Sequence, residues 1–313
     1  MLAENRLPQM VELIEVGPRD GLQRETRILS AGEKVQLIED LLGAGLRRIQ
    51  VTSFVHPKYV PQMADAEEVC ARLPAHPEAR YSGLALNLRG VQRARAAGLR
   101  EVDISVSASD AHSRRNANRS LKVALQEFDD MFALARAHGM HVRGGIQCAF
   151  GYQAPGDVAP QTVLDITEHY MGLGVDELAL ADSSGLANPR QMTALLQAVK
   201  GLTGDVPIIL HLHDTRGMGL ANVLAALQCG VGIFDTAVGG LGGCPFIEGA
   251  TGNIASEDTA HMLAQMGIET GIDLSRLAAV ARRLQARLGK EHLPGKLYAL
   301  LAPQAEIAQG ERA

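Results

Sequence analysis

The stretch "PIILHLHDTRGMGLANVLAALQCGVGIFDTAV" (207–238) contains one complete repeat of the pattern that decides the fold. Residues 207–213 are apolar apart from two histidines and predict a β-strand. Residues 219–229 form an Ala/Leu-rich helical run, and Gly230 follows it, a residue that can take the left-handed conformation at a helix end without steric cost. Residues 232–238 predict the next strand. The stretch therefore indicates a strand–helix–strand unit.

The same alternation of strand and helix extends through most of the chain. The predicted strands are residues 11–16, 47–51, 81–86, 101–106, 141–150, 177–181, 207–213 and 232–238, and the helical runs include 31–44, 120–138, 160–173, 188–200 and 219–229. This pattern favours an α/β protein built as a (β/α)8 TIM barrel. A doubly wound sheet is less favoured, because no G-x-G-x-x-G follows the first strand. We expect one catalytic domain over 1–313, with extra C-terminal helices from about residue 270.

Composition excludes several classes of function. The net charge of −5 gives no electrostatic reason to bind nucleic acid or an anionic membrane, and the chain has no Trp for stacking on bases. No apolar run reaches the length of a membrane span, and the N-terminal residues lack the pattern of a secretory signal. The four cysteines show no CxxC spacing and indicate free thiols in a reducing compartment. We therefore expect a cytoplasmic protein.

Polar residues gather where the predicted strands end. The first strand leads into "GPRDGLQRE", which holds Arg19, Asp20 and Gln23, and the sixth ends at Asp182. The active sites of such barrels lie at the carboxyl ends of the strands. We therefore expect these side chains to share one site.

His211 and His213 lie two residues apart on the seventh strand, so their side chains point to the same face. Two imidazoles beside hard oxygen ligands favour a divalent cation such as Mg²⁺ or Mn²⁺; zinc is less favoured in the absence of a thiolate. The alternative is a pair of partly buried, hydrogen-bonded histidines with no metal.

Five segments together resemble 3-hydroxy-3-methylglutaryl-CoA lyases, a family within the TIM-barrel metal-dependent lyases and Claisen-type synthases. They are "EVGPRDGLQ", "TSFVHPKYVPQMAD", "SASDAHSRRN", "HLHDTRGMGLAN" and "GGLGGCPFIEGATGNIASED", which fall in this order within roughly residues 12 to 268. The resemblance implies retro-Claisen cleavage of 3-hydroxy-3-methylglutaryl-CoA to acetyl-CoA and acetoacetate, and a homo-oligomer, a dimer or tetramer.

The resemblance also implies roles for individual residues. Asp20, His211, His213 and Asn253 would bind the cation; Arg19, Cys244, Asp182 and His211 would be catalytic; Gln23, Gln50, Ser53 and Glu257 would contact the substrate or support the site; and Arg114, Arg115 and Asn116 would hold CoA phosphates. Such a cleavage needs an ionised 3-hydroxyl, a cation near the developing thioester enolate and a proton donor for that enolate. The metal ion would assist the first, Arg19 the second and the Cys244 thiol the third.

Several of these residues allow a plainer interpretation. Cys244 could be a small buried side chain, and Arg19 a solvated surface charge. Asp182 could cap the sixth helix, and Asn253 could be a turn or cap residue. The basic "SRRN" segment (113–116) could be a solvated loop.

One residue departs from the family pattern. The family has a glutamate close to the catalytic arginine, and this chain has Gln50 at that position. Glutamine keeps the shape and removes the charge, which leaves open a related substrate such as citramalyl-CoA or a longer branched hydroxyglutaryl-CoA. A Claisen-type acyltransferase and a CoA-binding protein without activity are further alternatives. Strand alternation predicts that Gln50 shares a face with Arg48 and Thr52.

Overall fold

The computed structural model describes residues 7–243 and 252–301. Eight parallel strands form a closed barrel in chain order, and β1 pairs with both β2 and β8. The strands are β1 (Glu12–Glu15), β2 (Arg48–Ser53), β3 (Arg80–Ala85), β4 (Glu101–Ser107), β5 (His141–Gln147), β6 (Glu177–Asp182), β7 (Ile208–Leu212) and β8 (Ile233–Thr236). The predicted (β/α)8 TIM barrel is confirmed, and each predicted strand overlaps an observed one.

Helices lie between the strands and continue past the last one. They are α1 (Ala31–Gly43), α2 (Ala66–Ala71), α3 (Leu88–Ala96), α4 (Asp110–Ala117), α5 (Leu121–Gln126), α6 (Phe128–Ala137), α7 (Pro160–Leu173), α8 (Pro189–Thr203), α9 (Gly219–Gln228), α10 (Ser256–Gln265), α11 (Leu274–Leu288) and α12 (Leu297–Leu300). The helical run predicted over 120–138 is two helices that meet at Glu127, where ψ opens to −11°. In the described part of the chain, no helix is long and apolar enough to cross a membrane.

The space between the sheet and the outer helices is filled by apolar side chains. Phe128 and Tyr170 stack there with ring centroids 5.2 Å apart, and Phe132 packs beside them. The Tyr170 hydroxyl lies 3.0 Å from the carbonyl oxygens of both Ile104 and Gly145, and so joins α7 to two adjacent strands. Burial of this size stabilises each large side chain by about 1.5–3 kcal/mol. The outer layer therefore holds the strands in a fixed register.

The barrel interior is unusually polar. Such barrels are generally filled by branched apolar residues, yet here Arg48 projects inward and pairs with Glu12 and Glu177 at 2.8 and 2.6 Å. A second set of charged side chains, also paired with one another, lies on the strands nearer their carboxyl ends. Pairing of this kind offsets the cost of burying charge. The barrel thus carries a charged interior directly beneath the mouth at which its strands end.

Candidate active site

Three side chains that could bind a metal meet at the mouth of the barrel. Asp20 lies in the tight turn Gly17–Gly21 after β1, while His211 and His213 lie on and just beyond β7. Asp20 Oδ2 is 3.9 Å from His211 Nε2 and 3.8 Å from His213 Nε2, and the two Nε2 atoms are 3.1 Å apart. Over residues 7–243 and 252–301, no other group of three His, Cys, Asp or Glu side chains converges in this way.

Asn253 joins this cluster from a segment that forms an antiparallel bridge with His213. Its Nδ2 donates to Asp20 Oδ2 and to the Leu241 carbonyl oxygen, both at 2.8 Å. Its Oδ1 is buried and has no hydrogen-bond partner within the described residues. Amide oxygens are ligands that hard divalent cations accept. The orphaned oxygen therefore fits a metal centre at this point.

The electrostatics of Asp20 suit a cation ligand. Burial opposes ionisation of its carboxyl, but the Arg19 guanidinium and the two histidines together hold its pKa well below the usual range. Asp20 is therefore a carboxylate at neutral pH. One carboxylate, two imidazoles and one amide form a donor set that fits Mg²⁺ or Mn²⁺ and leaves coordination positions for a substrate.

His211 is fixed from behind by a carboxylate that the sequence did not single out. Its Nδ1 lies 3.0 Å from Asp235 Oδ2, and Asp235 in turn accepts two hydrogen bonds of 2.8 Å from the Arg143 guanidinium. Burial works against the charge on Asp235, but Arg143 and His211 hold its pKa well below the usual range. The carboxylate therefore favours the tautomer with the proton on Nδ1, which leaves Nε2 unprotonated on the side of the ring that faces His213 and Asp20.

Arg19 lies beside the metal cluster with two of its three nitrogens engaged. Nη1 donates to Asp20 Oδ1 at 2.5 Å, and Nε donates to Gln50 Oε1. Nη2 makes no hydrogen bond to any residue in the described ranges. Gln23 Nε2 also donates to Asp20 Oδ1, at 2.8 Å. Arg19 is thus a buried, oriented cation, and among the described residues one of its donor nitrogens has no partner.

Gln50 points into the barrel, and it shares this inward face with Arg48, as predicted. The expectation that Thr52 shares that face is wrong, because the register shifts by a bulge between Gln50 and Thr52. The Thr52 hydroxyl instead contacts Met63 Sδ, and Ser53 takes the position toward the cavity. A bulge inserts one residue and reverses the alternation beyond it. Ser53 therefore lines the cavity because of this bulge, which could not be predicted from the sequence.

A cavity of about 830 Å³ opens from these residues to the surface. Arg19, Asp20, Gln23, Gln50, Ser53, His211 and His213 all line it. Asp103, Arg143 and Asp235 line its floor inside the barrel. No role was predicted from the sequence for any of these three residues. The cavity is of the size that holds a small-molecule ligand or cofactor.

The rim of the cavity is rich in cationic and amide side chains. Arg115 and Asn116 of the "SRRN" segment line it, and they bond Tyr152 and Gln147 respectively. Arg114 does not line it, but pairs with Asp110 at 2.7 Å on the exposed face of α4. Further cations on the rim, not singled out in the sequence, are Arg24, Lys58 and Arg119.

Asp182 and Glu257 lie behind the cavity rather than on its wall. Asp182 accepts hydrogen bonds from the backbone amides of Leu186 (2.9 Å) and Ala187 (3.1 Å), and burial raises its pKa. Glu257 accepts from the backbone amide of Gly239, and burial raises its pKa to about 8. Both carboxyls therefore hold the backbone of the turns that follow β6 and β8, next to the site.

Cys244 lies outside the described residues. The chain leading to it is seen as far as Gly243, which lines the cavity. Gly242 has φ +118°, and a Cβ atom there would lie 2.4 Å from Asn253 Nδ2 and 3.1 Å from Asp20 Oδ2. Only glycine combines this backbone conformation with so close an approach. The segment preceding Cys244 is therefore packed directly on the candidate metal ligands.

Known proteins resemble this chain in sequence and in fold. A family model described as HMGL-like matches residues 10–284. A 3-hydroxy-3-isohexenylglutaryl-CoA/hydroxymethylglutaryl-CoA lyase of Pseudomonas aeruginosa is 42% identical over 95% of this chain and 99% of its own. The structure of a Bacillus subtilis HMG-CoA lyase has TM-score 0.90 and 37% identity, covering 94% of this chain and 98% of its own. An HMG-CoA lyase of Acinetobacter baumannii, in complex with coenzyme A and 3-methylmalate, has TM-score 0.89 and 38% identity, covering 95% and 96%.

Proposed function

The chain belongs to the HMGL-like family of lyases, and we propose that it cleaves 3-hydroxy-3-methylglutaryl-CoA to acetyl-CoA and acetoacetate with a bound Mg²⁺ or Mn²⁺. The observation that carries this proposal is the meeting of Asp20, His211 and His213 beside Arg19, whose Nη2 makes no hydrogen bond within the described residues. One site thus combines a cation centre for a hydroxyl with a fixed guanidinium for an enolate oxygen.

The cation would be held by Asp20, His211, His213 and Asn253. When bound, it would lower the pKa of the substrate's 3-hydroxyl, so that the hydroxyl loses its proton more readily to water in the cavity. The resulting oxygen lone pair becomes the second bond of the new ketone, the C2–C3 bond breaks, and its electron pair passes to the thioester enolate. Asp235 keeps His211 in the tautomer this centre needs.

Arg19 would carry the charge that appears as the bond breaks. An enolate oxygen is negative only in and after the transition state, so a fixed cation there lowers the barrier more than it strengthens substrate binding. Its Nε and Nη1 contacts leave little freedom to the guanidinium. Cys244 would return a proton to the enolate carbon and release acetyl-CoA. Asp182 and Glu257 would support the turns behind the site.

The CoA part of the substrate would lie along the rim. Arg115 and Asn116 remain our candidates for phosphate contacts, together with Arg24, Lys58 and Arg119. Arg114 and Arg119 are weaker candidates, because their guanidinium groups are already paired with Asp110 and Glu127. Gln23, which donates to Asp20, and the buried Ser53 both line the cavity and would contact the acyl group. We also propose a cytoplasmic homo-oligomer, dimer or tetramer, for the intact protein.

A second candidate substrate is a related 3-hydroxyacyl-CoA with a longer branch at C3. Small side chains on the cavity wall favour it, namely Ser105, Gly145, Ala179 and Ala181. The P. aeruginosa relative is named for such a longer branch as well as for the methyl substrate. A branch longer than methyl would have room where bulkier barrel residues usually stand.

The test is acetyl-CoA release from a panel of 3-hydroxyacyl-CoA thioesters, each with and without EDTA. We expect the highest kcat/KM for the hydroxymethylglutaryl thioester, with loss of turnover on chelation and recovery with Mg²⁺ or Mn²⁺. A higher kcat/KM for a longer-branched thioester or for citramalyl-CoA would transfer the assignment to that substrate. Failure to release acetyl-CoA from any member would refute the lyase proposal.

A further inference from the structure

The neutral side chain next to Arg19 is itself bonded to a carboxylate. Gln50 Oε1 accepts from Arg19 Nε, and Gln50 Nε2 donates to Asp103 Oδ2. All three side chains are buried, and Gln50 has no exposed surface. The three groups form a continuous chain from the guanidinium through one amide to a carboxylate on β4.

These two hydrogen bonds permit only one orientation of the Gln50 amide. With the amide turned over, its NH₂ group would face the Arg19 cation and its oxygen would face the Asp103 carboxylate, so both contacts would be repulsive. A hydrogen bond donated to an ionised acceptor also polarises the amide and makes its oxygen a better acceptor, most of all away from water. Asp103 thereby strengthens the hydrogen bond that Gln50 accepts from Arg19.

Asp103 is held in place by partners other than Gln50. The Ser82 hydroxyl donates to Asp103 Oδ2 at 2.9 Å, and Arg143 Nε lies 3.0 Å from Asp103 Oδ1 as an ion pair. These contacts come from β3 and β5, on either side of β4. The carboxylate is therefore anchored across three strands and cannot follow Gln50 or Arg19 if they shift.

We propose that Asp103 is a positioning residue for Arg19, supplying through the Gln50 amide the negative charge that a carboxylate at position 50 would supply directly. The inference rests on the proposed function, which places Arg19 at the enolate oxygen. It also corrects the simple view that Gln50 leaves the site one negative charge short: the charge lies one side chain further into the barrel.

A double-substitution cycle tests this role. Asp103→Asn removes the charge and should lower kcat on the preferred thioester about tenfold or more, with little change in KM, because Arg19 acts on the transition state. Gln50→Glu places a second carboxylate against Asp103, so kcat should also fall and its pH profile should change. In the double variant, the new carboxylate at position 50 can accept from Arg19 while the new amide at position 103 donates to that carboxylate. We therefore expect kcat of the double variant to return to within about threefold of wild type.

The pattern of recovery decides between two routes of action. If the double variant is no better than the single ones, Asp103 does not act through position 50, and the proposal is overturned. A fall in Mn²⁺ affinity parallel to kcat in Asp103→Asn would overturn it in favour of a route through Arg143 and Asp235 to His211. Asp176→Asn is the matched control. Asp176 accepts a hydrogen bond from the Val142 backbone amide at the amino-terminal end of the strands, away from the site. If Asp103→Asn does not fold, recovery is judged against Gln50→Glu alone.

A readout without turnover separates this inference from the proposed function. Selective ¹⁵N labelling of glutamine, with Gln50→Glu for assignment, gives the side-chain amide signals of Gln50. We expect these signals to be shifted and slow to exchange in the wild type, and to lose both properties in Asp103→Asn. Unchanged signals would refute the Gln50–Asp103 contact even in an active enzyme. Changed signals in a protein that cleaves no thioester would refute the lyase proposal alone.

Discussion

Asp235→Asn isolates the contribution of the residue that orients His211. In the structure, Asp235 accepts two hydrogen bonds from Arg143 at 2.8 Å and lies 3.0 Å from His211 Nδ1. Asparagine keeps the shape but carries no charge, and its amide can present either oxygen or NH₂ to the imidazole. The substitution should therefore weaken the preference for the tautomer that aims Nε2 at the metal position.

Two magnitudes follow from these contacts. Loss of the carboxylate partner of a metal-binding histidine typically lowers metal affinity by about 10–100-fold, equal to about 1.4–2.8 kcal/mol. Arg143 would also lose one of its two buried counter-charges, Asp103 remaining. Breaking a buried ion pair typically costs about 3–5 kcal/mol of stability, and we expect the lower end because asparagine can still accept from Arg143.

Mn²⁺ titration followed by electron paramagnetic resonance of the free ion measures the first effect, and thermal unfolding measures the second. Asp176→Asn serves again as the control. In Asp235→Asn the Mn²⁺ Kd should rise and the Tm should fall. In the control neither the Kd nor the Tm should change appreciably. An Mn²⁺ Kd within about twofold of wild type, with a lowered Tm, would show that Asp235 has a structural role alone and would refute the tautomer argument.

Three further substitutions test separate parts of the site. Gly242→Ala should lower Mn²⁺ affinity by roughly tenfold or more, because the new Cβ would meet Asn253 Nδ2; an unchanged Kd would show that the loop yields without cost. Glu257→Gln tests pH dependence: burial raises the pKa of Glu257 from 4.5 to about 8, so the folded state keeps a proton that the unfolded chain releases, and wild-type stability falls as pH rises through that window. The variant should therefore gain in Tm relative to wild type between about pH 5 and about pH 8, and a constant difference would contradict the argument. His213→Ala should remove metal-dependent turnover and keep the circular dichroism of the fold, whereas full activity would exclude His213 as a ligand.

The sequence was informative about the fold because each strand and its helix form a local pattern. Every predicted strand was found, since apolar runs bounded by glycine and polar residues need no long-range information. The division of the 120–138 run into α5 and α6 was not foreseen, because neither Gly nor Pro marks the opening at Glu127. A small opening of ψ at an ordinary residue depends on the packing around it, which the sequence does not display.

The site was predictable only as far as its motifs extended. The spacing of His211 and His213 and the ends of the strands indicate a metal site, and the family resemblance implies Asp20 as its carboxylate. Asp103, Arg143 and Asp235 were overlooked, although a charge inside an apolar strand such as "EVDISV" is a signal that could have identified them. The contact of Arg143 with Asp235 spans 92 residues and arises only when the barrel closes. The bulge before Thr52 is likewise a property of strand pairing.

Product formation from 3-hydroxy-3-methylglutaryl-CoA is the most direct measurement of the proposed chemistry. Purified protein is stripped with EDTA, divided, and assayed for acetyl-CoA and acetoacetate with and without added Mg²⁺ or Mn²⁺. We predict no products from the stripped protein and equal amounts of both products once a cation is restored, because Asp20, His211 and His213 then hold the ion. Equal rates with and without the cation, or neither product under any condition, would contradict the metal-dependent cleavage.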